Sequence, residues 1–63
     1  MVTVFLTNGK SIDIAGGNYT EYRDNPLRLL IKDEKEGNLL AVFYLDNIAG
    51  YELVEEIIGG YNE

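Results

Sequence analysis

The sequence predicts a mainly β protein: a small antiparallel meander or SH3-like half-barrel of about five strands. Two observations carry this reading. Short apolar runs with a two-residue period recur along the chain, and turn signals rich in glycine and asparagine separate them.

The first run, VTVFLT over residues 2–7, places Val2, Val4 and Leu6 on one face and Thr3, Phe5 and Thr7 on the other. Asn8-Gly9 follows and accepts positive φ, so it marks a hairpin. The returning strand, KSIDI, turns Ile12 and Ile14 inward and Asp13 outward. Gly16-Gly17-Asn18 ends it with residues suited to a turn or bulge. NYTEYR reads as a short third strand or an extended segment. Pro26 lacks an amide donor, which makes RDNPL a corner or the start of an edge. LRLLIKD, residues 27–33, sets Leu27, Leu29 and Ile31 against Arg28, Leu30 and Lys32. EKEGN leads on to LLAVFYL at 39–45, with Gly37 expected at a left-handed loop position.

After Asp46 the character changes. DNIAGYELVEEII allows one helical turn capped by Asp46, then a last strand at Tyr51 to Glu55. The alternative is a short C-terminal helix over ELVEEII, with Leu53, Val54, Ile57 and Ile58 on one stripe. Residues 1–58 thus form a single small β domain, and 59–63 a frayed tail.

In a curled meander the core holds Val2, Val4, Leu6, Ile12, Ile14, Leu29, Ile31, Ala41, Phe43 and Leu45, which share matching phases of their strands. The opposite phase collects Phe5, Leu30, Leu40, Val42 and Tyr44, which a face in water should not carry. Two covers are open. The C-terminal residues Tyr51, Leu53, Val54, Ile57 and Ile58 fold back across the sheet, or a second protein lies on it, with Arg28, Lys32 and Thr3 as a polar rim. A symmetric dimer is the commonest form of the second cover.

Chain size favours that cover. A chain of 63 residues has a marginal core unless disulfides, a metal, very good packing or association reinforce it. Cysteine and histidine are both absent, which excludes disulfides and the thiolate and imidazole sites of zinc, iron and copper. MVTVFLTNGK has no basic leader with a long apolar core, and no run is long enough to span a bilayer. A cytoplasmic protein without cofactors is expected. Eleven acidic residues against five basic ones give a net charge of -6, which argues against nucleic acid or an anionic membrane as partner. An acidic surface can instead occupy a basic cleft on another protein.

Catalysis has little to work with. Without His or Cys, nucleophiles are limited to hydroxyls and carboxylates, and Ser11 stands on a strand with no base motif beside it. DEKEGN lacks the spacing of a calcium loop, and AGGNYT lacks that of a phosphate cradle. Tyr19, Tyr22, Arg23 and Arg28 are the one candidate ligand site, since aromatic rings beside guanidinium groups can hold a nucleotide or other small anion.

In size and pattern the chain resembles the short acidic β-proteins encoded by phages and mobile elements of Gram-positive bacteria, through its first hairpin, VTVFLTNGK, and its closing segment, FYLDNIAGYELVEE. The resemblance carries over no individual residue. It implies a non-enzymatic inhibitor of a bacterial defence system, acting by binding a host protein or by sequestering a signalling nucleotide. The leading expectation is therefore a self-associating protein-binding module, with small-ligand sequestration as the alternative.

Overall fold

The computed structural model describes residues 1–54, which form six strands. They are β1 (Val2–Leu6), β2 (Ser11–Ile14), β3 (Tyr19–Arg23), β4 (Arg28–Lys32), β5 (Leu39–Tyr44) and β6 (Ile48–Leu53), with a 3-10 turn at Leu45–Asn47 before the last. The strands make two antiparallel sheets, ordered β2-β1-β6 and β3-β4-β5. The expected mainly β meander is what forms. The strand count is six because NYTEYR, read as a short third strand or an extended segment, does form a strand, β3, after the chain crosses between sheets at Gly16-Gly17.

Two of the turns follow from local chemistry. In the first hairpin the Gly9 N–H donates to the Leu6 carbonyl at 3.1 Å and the Leu6 N–H to Lys10 at 2.7 Å. Only Gly9 takes a positive φ there (91°), so the turn is closed by a left-handed glycine rather than by the whole Asn-Gly pair. Asn8 Oδ1 accepts from the Lys10 N–H at 2.9 Å. The β4–β5 loop corrects the expectation for Gly37, which is not left-handed. A Cβ there would stand 1.9 Å from Asp33 Oδ1, the oxygen that accepts the Asn38 N–H at 2.8 Å. Glycine is needed to leave room for that carboxylate.

The core lies between the two central strands. Val2 and Val4 of β1 and Leu29 and Ile31 of β4 are fully buried, and each such side chain contributes about 1.5–3 kcal/mol by leaving water. Leu6, Ile14, Ala41, Phe43 and Leu45 pack around them as expected, joined by Ile48 and Tyr51. Ile12 has the inward phase but remains 39% exposed because β2 is an edge strand.

The C-terminal part departs from the expectation in two ways. Asp46 does not cap the 3-10 turn, which begins after Tyr44 and has no side-chain cap. The last strand starts at Ile48 rather than Tyr51, because a bulge on β6 leaves Ala49 without a partner between Phe5↔Gly50 and Leu6↔Ile48. Glu52 and Leu53 are strand, so a helix does not begin at ELVEEII's first residues. The remainder of that helix, Ile57, Ile58 and the tail at 59–63 lie outside the described residues. The end of β6 is tied to β1: the Met1 ammonium donates to the Val54 carbonyl at 2.8 Å, and the Val54 N–H to Met1 at 2.7 Å.

Gly17 is buried where the chain changes sheets. A Cβ on it would meet Ile31 Cγ2 at 2.9 Å, the Ile14 carbonyl at 3.2 Å and Val2 Cγ2 at 3.2 Å. Gly17→Ala should therefore lower stability by about 1–3 kcal/mol through overpacking. Gly50→Ala meets nothing within 4 Å and should raise stability by about 0.4–1 kcal/mol. Urea midpoints of the two variants check this; a neutral Gly17→Ala would contradict the close approach.

Candidate functional site

The outer face of the second sheet is the surface with the least ordinary composition. Its register sets three rows side by side: Arg23, Arg28 and Tyr44; Glu21, Leu30 and Val42; and Tyr19, Lys32 and Leu39. The face is graded. Along β3 it is charged, and along β5 it is apolar, with Val42 44%, Tyr44 54% and Leu39 52% exposed.

Of the five residues expected to form an interface, Leu30, Val42 and Tyr44 meet on this face. Leu40 is adjacent but occupies a bulge: the register steps from Ile31↔Ala41 to Lys32↔Leu39, leaving Leu40 as the extra residue, 42% exposed. Leu39, which sequence reasoning did not include, takes the position opposite Lys32. Phe5 has to be removed from the group. It is exposed, but on β1 of the other sheet, between Ser11 and Gly50. Since the two sheets share one core through their inner faces, its outward phase points away from that of β5. Thr3, expected in the polar rim, is on β1 of the first sheet with Phe5 and so leaves the group with it; its hydroxyl donates to Asp13 Oδ1 at 2.9 Å. Arg28 and Lys32 do flank Leu30 as expected.

The internal cover expected from the C-terminal segment is not supplied by the described residues. β6 pairs with β1 in the first sheet, and Tyr51 packs inward on the core. Its hydroxyl accepts from Thr20 Oγ1 at 3.1 Å, which links the two sheets at their rim.

The candidate ligand residues do not converge. Tyr22 stands opposite the buried Leu29, on the inner phase of β3, with its ring 6.4 Å from that of Tyr51. Loss of surrounding water, together with the Tyr51 hydroxyl, raises its pKa above the ordinary 10.0. Tyr19 and Arg23 have the outer phase but are about 13 Å apart along the strand. The Arg23 guanidinium is paired with Glu21, and Arg28 Nη1 is turned to the loop, donating to the carbonyls of Asp24 at 3.0 Å and Pro26 at 2.8 Å. The positive groups are thus committed to partners within the chain.

Among the described residues no group of three or more carboxylates is placed to hold a metal ion, and no helix is long and apolar enough to cross a membrane. No known protein family, curated protein or solved structure matches the chain.

Glu21 anchors the charged side of the face, between Arg23 and Lys32 Nζ at 3.4 Å. The hydrogen bond from Arg23, aided by Lys32, holds its pKa below the ordinary 4.5. A carboxylate whose pKa is lowered by folding stabilises the fold above its unfolded pKa and loses that contribution as pH falls through the folded value. NMR titration should place the Glu21 midpoint below 4.5, and Glu21→Gln should remove that part of the acid-side decline in stability. A midpoint above the ordinary value would contradict the ion-pair geometry.

Proposed function

We propose that the protein is a non-enzymatic protein-binding module that self-associates through the apolar side of the outer face of β4 and β5. One observation supports this above the others: Leu30, Leu39, Val42 and Tyr44 form a continuous apolar strip that no other described element covers. Exposed apolar strips with a polar border are how association surfaces present themselves, and charge here is confined to the border at Glu21, Arg23, Arg28 and Lys32. Burial of the strip also supplies reinforcement to a core with only four fully buried hydrophobic residues among those described.

The pattern-level likeness to phage and mobile-element proteins extends the proposal to an inhibitor of a bacterial defence protein, acting in the cytoplasm by occupying its target. The net charge of -6 suits a target with a basic cleft. Nothing in this reading calls for a cofactor or for catalysis.

Val42→Glu tests it. In an associated state the new carboxylate is held where water is largely excluded, and an unpaired buried charge costs on the order of several kcal/mol. The variant should sediment as a folded 7.1 kDa monomer, with an unfolding midpoint independent of concentration, whereas the parent's midpoint should rise with concentration. Ala41→Glu, which enters the core side of β5, should instead prevent folding. A parent whose midpoint does not move with concentration would contradict self-association.

A further inference from the structure

We infer that the second copy adds to the free edge of β5, antiparallel and about a two-fold axis near Phe43, so that two three-stranded sheets become one continuous sheet. The inference rests on the self-association proposed above and moves its contact from the outer face to the adjoining edge of β5, where Val42 and Tyr44 meet the second copy side by side while Leu30 on β4 stays on the open face.

The direction of the β5 backbone comes from the ladder. The Leu45 N–H donates to the Leu27 carbonyl at 3.3 Å, and this pair continues the register that joins Tyr44 to Arg28 and Phe43 to Leu29. In an antiparallel ladder hydrogen-bonded and non-hydrogen-bonded pairs alternate. Phe43 and Ala41 therefore direct their amides and carbonyls at β4, and Val42 and Tyr44 direct theirs away from it. On that side β5 is the end of its sheet, and among the described residues no backbone group bonds to Val42 or Tyr44 there.

Comparison of the four sheet edges singles this one out. β2 carries Asp13, β6 carries Glu52, and β3 carries Glu21 and Arg23, whereas Leu39–Tyr44 contains no charged residue and no proline. Charge and proline are the usual devices that keep edges from pairing. The only such device on β5 is the bulge at Leu40, which leaves the stretch beyond it regular.

That stretch is self-complementary. With the axis near Phe43, Val42 lies opposite the partner's Tyr44, and Tyr44 opposite the partner's Val42. All of the outward amides and carbonyls of these residues then find partners. On the outer face each junction juxtaposes a β-branched and an aromatic side chain, a favourable cross-strand pair. No like charges meet. The regular edge is short, so the association should be weak and concentration-dependent, in the class of small interfaces.

Val42→Pro separates edge pairing from packing face to face. Its lost N–H points away from β4, so the ladder that holds β5 in its own sheet keeps its bonds, and proline is tolerated at such an edge position. With a parent that associates, Val42→Pro should be folded and monomeric across the same concentration range by sedimentation. A Val42→Pro protein that associates as the parent does overturns edge pairing and leaves self-association standing. A parent that is monomeric at every concentration overturns both. Should the variant fail to fold, amide exchange in the parent decides: raising concentration should slow the Val42 and Tyr44 amides about tenfold or more while leaving the β3 edge unchanged. Unchanged exchange at Val42 and Tyr44 overturns the pairing.

Discussion

The contact between the inner faces of β1 and β4 carries the whole structure. Val2 and Val4 on one strand and Leu29 and Ile31 on the other are the fully buried side chains among the described residues, and both strands are central in their sheets. Everything else is arranged to let these two strands meet. Gly17 permits the chain to pass within contact distance of Ile31 and Val2 as it changes sheets. Thr20 and Tyr51 join the rims of the sheets by a hydrogen bond, and the Met1–Val54 pair holds β6 beside β1. A core this narrow leaves each sheet with an outer face, and among the described residues that of the second sheet carries an apolar strip along β5.

Much of this was legible from residue types alone. The period-two alternation of Val2, Val4 and Leu6, and of Leu29 and Ile31, identifies the inward phase because strand side chains alternate whatever the tertiary context. Alternation does not say which sheet a strand joins. Phe5 and Val42 both have the outward phase, and reading one continuous sheet placed them together; the crossing at Gly16-Gly17 puts them on different sheets. Bulges hid the rest. The extra residue at Ala49 breaks the two-residue period of β6, so Ile48 and Tyr51 reach the core at a spacing that no simple strand pattern contains. The extra residue at Leu40 likewise brings Leu39 to the outer face. The supposed ligand cluster failed for the same reason that alternation succeeds, since residues 19 and 22 of one strand must face opposite ways.

The composition of LLAVFYL now has a physical account. One phase, Ala41 and Phe43, packs inward, and the other, Val42 and Tyr44, lines the outer face next to Leu30. The same outward residues also hold the backbone groups that point to the open edge. Side-chain and main-chain reasons for association therefore coincide on a few residues, at the edge that carries no charge. The opposite edge of the same sheet, β3, carries the charged Glu21 and Arg23, the former also paired with Lys32 on β4. A second copy added at that edge, as proposed, would close the assembly as a dimer, because the paired edges are consumed by one another.

The central claim is that a second copy, and not the chain's own C-terminal residues, meets Val42 and Tyr44. Isotope-filtered NMR on an equal mixture of labelled and unlabelled protein tests this most directly, since it registers only contacts between copies. The expected result is a set of intermolecular contacts between Val42 and Tyr44 that strengthens with concentration. Contacts to Val42 and Tyr44 arising only within one copy, from Ile57 and Ile58, would contradict it.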